Sequence, residues 1–204
     1  MKNSFFLLLS IIWSAEIYSQ NTNLVDFTRM EAEVAIQPSK MAVSGKILYE
    51  FDILEQVDSI FIDAQKMTFS EVLLNGKKVD FGNDQKIFWI TGNFSPAQDQ
   101  QLELKYSATP GQALYFIPKK PIGMEEQDYQ VWTQGQGKYT SHWLPSFDDP
   151  TEKLEFDLSY IYPSGKTLIS NGELLNSEEI NDSLTRWEFD MKNPMSSYLV
   201  AMAA

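Results

Sequence analysis

Residues Met30 to Ile53 read MEAEVAIQ (30–37), PSK (38–40) and MAVSGKILYEFDI (41–53), and this stretch decides the fold. Met30, Ala32, Val34 and Ile36 are apolar, while Arg29, Glu31 and Glu33 fall between them. After Pro38 the pattern resumes: Val43, Gly45, Ile47, Tyr49, Phe51 and Ile53 alternate with Ser44, Lys46, Glu50 and Asp52. A period of two puts every second side chain on one face of an extended chain, whereas a helix would repeat at three and four. Two strands joined by a proline-marked turn follow from this.

The same alternation returns on both sides of that stretch. It recurs in Ile60-Ile62-Ala64, Leu102-Leu104-Tyr106, Leu154-Phe156-Leu158-Tyr160 and Trp187-Phe189-Met191. Asn75-Gly76, between Val72-Leu73-Leu74 and Val79-Phe81, has the composition of a tight hairpin turn, because both residues tolerate positive φ. No capped helical period extends beyond about ten residues. The expected class is all-β, with antiparallel strands that are apolar on one face and polar on the other. Lys119 to Asp128 (KKPIGMEEQD) is the one long charged connection, read as a loop within a single domain because strands of the same pattern flank it.

The chain has 204 residues, 43% of them hydrophobic, with no cysteine and a single histidine, His142. Such a composition excludes disorder and a disulfide scaffold. A net charge of −12 makes nucleic acid an unsuitable partner. One histidine and no thiol exclude thiol catalysis and any zinc site that needs two imidazoles from this chain. Lys2 followed by the apolar run Phe5–Trp13, which is too short to span a membrane, reads as a secretory signal peptide over 1–19, cleaved after Ser19. Residues 20–204 then form the exported domain. The apolar ending, Ser196 to Ala204 (SSYLVAMAA), points to a chain continued by, or docked on, another body; a last strand inserted centrally in a sheet is the alternative.

Residues 131–150, VWTQGQGKYTSHWLPSFDDP, break the plain strand pattern. Gln134 and Gln136 stand two apart after a strand-like run, with Gly135 and Gly137 beside them. On an extended chain their amides point to the same side, each offering a carbonyl acceptor and an NH₂ donor. Two such amides suit the polar end of a peptide, although solvated glutamines at a sheet rim are the plainer reading of the spacing alone. Asp148, Asp149 and Glu152 lack the alternating acidic positions of a calcium loop and read as a turn, with Asp148 accepting backbone N–H groups and Pro150 fixing the bend. His142 beside Trp143 reads as a packed loop residue, with no visible partner for a triad.

This region resembles the zinc aminopeptidases of the aminopeptidase N type, which include the leukotriene-processing hydrolase branch. The likeness is carried by Thr133-Gln134-Gly135-Gln136, Leu144-Pro145-Ser146-Phe147-Asp148-Asp149-Pro150 and Lys153, in register without a gap. Leu114-Tyr115-Phe116, Ser170-Asn171-Gly172 and the run from Trp187 through Asn193-Pro194-Met195-Ser196-Ser197-Tyr198-Leu199-Val200-Ala201 match further family steps, so the likeness covers roughly Asp26 to Ala204. Two departures stand out: Ala113 replaces a usual glycine, and Thr140-Ser141 replace an Ala-Arg pair.

The resemblance implies a saddle-like β-sandwich domain that caps a separate thermolysin-like catalytic domain, expected C-terminal to Ala204. Gln136 would hold the α-amino group of a peptide substrate's N-terminus, where most members use Glu and the leukotriene-processing branch uses Gln; Gln134 would line the same subsite. The family's Gly-x-Met-Glu-Asn and His-Glu-x-x-His motifs are absent from this sequence, and Gly123-Met124-Glu125-Glu126 only echoes the first. No catalytic residue and no metal ligand is therefore expected in this chain; zinc would belong to the catalytic domain. A free-standing exported β-module that binds peptide or a partner protein is the alternative. A third reading is a broken product that exposes Tyr198–Ala204 as an unpaired apolar strand.

Overall fold

The structure, a computed structural model, describes residues 23–119 and 128–204. The signal-peptide reading and the Gly123–Glu126 echo lie outside the described residues. In chain order the strands are β1 (Val25–Gln37), β2 (Ala42–Ile53), β3 (Val57–Asp63), β4 (Met67–Leu74), β5 (Lys77–Lys78), β6 (Phe81–Asn83), β7 (Ile87–Phe94) and β8 (Ala97–Ala108). They continue as β9 (Leu114–Pro118), β10 (Tyr129–Thr133), β11 (Lys153–Pro163), β12 (Ile169–Ser170), β13 (Glu173–Asn181), β14 (Leu184–Ser196) and β15 (Met202–Ala203). The helical elements among the described residues are single 3-10 turns at Pro38–Lys40, Thr140–His142 and Ser197–Leu199.

The described strands form an eight-stranded sheet, β13-β14-β11-β1-β2-β8-β4-β5, a four-stranded sheet, β12-β15-β10-β9, and a three-stranded sheet, β3-β7-β6. The all-β class agrees with the sequence, but the expectation of purely antiparallel pairing needs correction. β1 pairs with β11 in parallel, from Arg29 opposite Glu155 to Ala35 opposite Ile161. Parallel neighbours need a long crossover, and here the chain builds the three-stranded sheet and the β9-β10 pair of the four-stranded sheet before β11 returns to lie beside β1.

The alternation places the core. Met30, Ala32, Val34 and Ile36 of β1 are buried, as are Ile47, Tyr49 and Phe51 of β2 and Leu154, Phe156, Leu158 and Tyr160 of β11. Asn75 and Gly76 both take left-handed backbone (φ 49° and 73°) between β4 and β5, as the hairpin reading requires. The 143–147 loop is fastened into this core. Phe147 packs on Phe27 with ring centroids 4.5 Å apart, the Tyr49 hydroxyl donates to the Pro145 carbonyl at 2.6 Å, and Trp143 and Leu144 are fully buried.

The terminal run is not an unpaired apolar strand. β15 lies between β12 and β10, with Ala203 opposite both Ile169 and Trp132. Its backbone is satisfied on both sides, which corrects the third reading above and matches the centrally inserted alternative. β9 and β10, on either side of the charged connection, pair with each other from Pro118–Tyr129 to Leu114–Thr133.

Candidate functional site

β10 ends at Thr133, so Gln134 and Gln136 lie just beyond the strand and not on it. The Gln134 N–H donates to the Ala113 carbonyl at 2.7 Å, and the Tyr139 N–H returns to the Gly135 carbonyl at 3.2 Å. Gly137 and Lys138 take positive φ (88° and 79°) and turn the chain there. Gly135 is buried while both glutamines are exposed. A Cβ at Gly135 would collide with the Thr140 hydroxyl and stand 2.8 Å from the Tyr198 carbonyl. The glycine thus lets two other segments press onto the backbone that carries the glutamines. Neither glutamine side chain bonds to another described residue, leaving both amides open to solvent or a ligand.

The motif residues, dispersed along the sequence, converge on this place. Thr133 clamps the last strand: its hydroxyl accepts the Met202 N–H at 2.8 Å and donates to the Met202 carbonyl at 3.4 Å. Thr140 donates to the Ser197 carbonyl at 2.9 Å, and the Ser197 hydroxyl accepts the Phe147 N–H at 3.3 Å. Ser170 donates to the Ala201 carbonyl at 2.9 Å, while the Asn171 side chain accepts the Ala201 N–H at 2.6 Å. Gly172 follows with φ 87°, and a Cβ there would strike the Asp190 backbone.

Two carboxylates next to this assembly, half-buried Asp148 and buried Glu152, take places that the turn reading did not foresee. Asp148 does not hold the turn. Asp149 does, accepting both the N–H and the hydroxyl of Thr151 at 2.9 and 2.7 Å. Asp148 turns inward, where the Ser141 hydroxyl donates to Oδ2 at 2.9 Å, Oδ1 is buried without a hydrogen-bond partner, and the Asp148 N–H donates to Asp63 at 2.7 Å. Burial, reinforced by the charge of Asp63, pushes its carboxyl up to about 6. Ser141, standing in place of the family's arginine, supplies a hydroxyl but no positive charge. Glu152 is buried and accepts the Phe27 N–H at 3.1 Å, and burial pushes it up to about 7. Only the Asp-Asp-Pro-Thr-Glu run hinted at these; Asp63, 85 positions before Asp148, gave no signal.

His142 is half-buried, lies edge-on to Tyr139 at 5.9 Å, and is held below its ordinary value by burial and then by Lys66. Its ring has no hydrogen-bond partner among the described residues. Among the described residues no group of three His, Cys, Asp or Glu could hold a metal ion. This donor set does not fit zinc.

One face of the four-stranded sheet is apolar and exposed. Cross-strand partners share a face, so the register sets Ile169, Ala203, Trp132 and Tyr115 in one row. Ile169 is 62% exposed and Trp132 38%, and the Trp132 and Tyr115 rings lie 4.7 Å apart.

Comparison with known proteins places the fold. Leucyl aminopeptidase of Saccharolobus solfataricus is 26% identical over 144 residues, covering 70% of this chain and 18% of that protein. Leucine aminopeptidase 2 of Yarrowia lipolytica is 27% identical over 168 residues, covering 79% of this chain and 25% of that protein. The chain thus spans a quarter or less of these relatives. Among solved structures, an M1 zinc metallopeptidase from Deinococcus radiodurans superposes with a TM-score of 0.75 at 18% identity, over 88% of this chain and 41% of that one. Yeast LTA4 hydrolase gives 0.74 at 20% identity, over 93% and 31%. Residues 18–199 match the peptidase M1 N-terminal domain, and the chain belongs to that family.

Proposed function

We propose that this chain is the N-terminal domain of an exported zinc aminopeptidase, that it caps the catalytic cleft, and that it anchors the α-amino group of a peptide substrate through Gln136, with Gln134 beside it. The observation that carries this reading is the pair of exposed amides held at one end of β10 by a glycine that could bear no side chain. An ammonium donates, and the Gln136 carbonyl oxygen accepts without adding charge. Zinc, polarising a water and a carbonyl, would belong to the catalytic domain; no residue described here takes part in that step. The apolar row of Ile169, Ala203, Trp132 and Tyr115 would lie against that domain, because exposed contiguous apolar surface marks an interaction face.

The test is hydrolysis of an aminoacyl anilide by this chain alone and by the reading frame extended past Ala204. The chain alone stays inactive with or without added zinc, and the extended protein is active and loses activity to a chelator. Cleavage by the chain alone would overturn the reading. An extension without His-Glu-x-x-His, combined with peptide binding by the chain, would favour the free-standing module.

A further inference from the structure

The outward face of the three-stranded sheet carries side chains unusual for solvent-facing strand positions. Ile60 and Ile62 of β3 and Phe88 and Ile90 of β7 are buried, so the alternate residues Phe61, Ile87 and Trp89 take the opposite face. The register sets Phe61 opposite Trp89, and Trp89 opposite Gly82. A Cβ at Gly82 would fall among the Cε2 and Cζ2 atoms of Trp89. The indole therefore lies across the bare backbone of Gly82 and offers its other face as the floor of a cleft of about 620 Å³.

Asp58 and Asp84 line this cleft, with no lysine or arginine among the described residues that line it. Asp84 sits at the Ile87 end, where Oδ1 accepts the N–H groups of Lys86 and Ile87 at 2.9 Å each. Those bonds hold its carboxyl below the ordinary range, and Oδ2 bonds to no other described residue. Asp58 lies at the other end, next to Ser59, which pairs with Thr91; its Oδ1 accepts the Ser59 hydroxyl at 2.7 Å. Ile87 and Thr91, at the two ends, stand four positions apart on β7, roughly 13 Å at the rise of an extended strand. An aromatic face attracts a cation; Lys86 acts on Asp84 from outside the lining, and the carboxylates at the two ends of the cleft make the complement of a segment bearing two positive charges.

We propose that this cleft binds a basic peptide segment, with an arginine or lysine side chain lying on Trp89 and the carboxylates of Asp58 and Asp84 taking its charge and that of a second basic residue. Neither Gln134 nor Gln136 lines the cleft, so the site is separate from the aminopeptidase reading.

Calorimetric titration of the full chain with N-acetylated, C-amidated tetra-arginine tests this, the acetyl cap removing the amino group that Gln136 would hold. Saturable binding is expected, about tenfold weaker for the isosteric citrulline peptide and about fivefold weaker for Trp89→Ala and for Asp58→Asn. Asp182→Asn, in the remote β13–β14 turn, leaves affinity unchanged. Equal affinity of the parent and Trp89→Ala would mean diffuse attraction to an acidic chain and would overturn the proposal. Equal binding of the citrulline peptide, or no saturable binding, would do the same. If Trp89→Ala loses its circular dichroism spectrum, Asp58→Asn and Trp89→Phe decide: the first must weaken binding and the second retain it.

Discussion

The Gln134 N–H donates to the carbonyl of Ala113 at 2.7 Å, and Ala113 holds that carbonyl in place from left-handed backbone, with φ of 66°. A buried alanine thus occupies a conformation that suits glycine, the residue usual at this step in the family it resembles. Left-handed backbone destabilises an L-residue by about 1–2 kcal/mol, and glycine's added freedom in the unfolded chain offsets part of the relief. Ala113→Gly should stabilise the chain by about 0.5–1 kcal/mol, read as a higher denaturant midpoint at unchanged slope. A lower midpoint would mean that the packing of the Ala113 methyl outweighs the strain.

The Asp148 carboxyl sits beside Asp63, with Ser141 donating a hydroxyl to it and Lys138 acting only as a minor counter-charge. Its folded value, about 6, lies above its ordinary one, as does that of Glu152, at about 7. For both groups the folded state binds more protons than the unfolded state. Their contribution is fully present at acid pH below about 4 and is lost as pH rises through 6 and 7. Asp148→Asn keeps an acceptor for Ser141 and removes the like charge. It should raise the thermal midpoint at pH 8 by roughly 2–4 °C, about 1 kcal/mol for a chain of this size, and by less at pH 5. A gain that is equal at both pH values would contradict this origin.

Gly135 is enclosed by Thr140 and the Tyr198 carbonyl. Gly135→Ala should destabilise the chain by about 1–3 kcal/mol, the range for overpacking a site that cannot relax. Thr140→Ala removes the hydroxyl that the added Cβ would strike, together with its bond to Ser197, and in combination with Gly135→Ala it should recover part of the loss. Equilibrium unfolding of the two single variants and the double variant reads this directly; strict additivity would mean that the two positions do not press on each other.

Much of this was legible locally. The alternation of Met30–Ile36 and Val43–Ile53 specifies a buried face whichever neighbours a strand finds, and Asn75-Gly76 specifies its own turn. The orientation of β1 against β11 was not, because side-chain alternation is identical in parallel and antiparallel pairs. The inward turn of Asp148 was hidden for a related reason: its partner Asp63 ends β3, 85 positions earlier, and nothing near Asp63 marks it. Gln134 and Gln136 were found by composition and resemblance, yet the device that presents them, Gly135 under Tyr198, depends on contacts across more than sixty positions. Ser170-Asn171, found as a step of the family resemblance, forms a clamp on Ala201.

Trp132 and Ile169 stand exposed in one row of the four-stranded sheet. Trp132→Glu should lower the stability of the isolated chain by about 1 kcal/mol, the loss of its packing on Tyr115. In the extended protein the same change would bury a carboxylate against the catalytic domain. It should then lower the midpoint by about 2 kcal/mol or more and loosen the domain contact. Comparing the two contexts by thermal unfolding and limited proteolysis checks this; equal effects in both would remove the docking role of this face.

Gln136 carries the central claim. A carboxylate in its place would add charge to the bond with a substrate ammonium, worth about 1 kcal/mol or roughly fivefold in KM. The decisive measurement is KM for an N-terminally free peptide and for its N-acetylated counterpart, on the extended protein and its Gln136→Glu variant. A KM lowered about fivefold for the free peptide alone is the predicted result. An unchanged KM for the free peptide, or an equal change for both peptides, would contradict it.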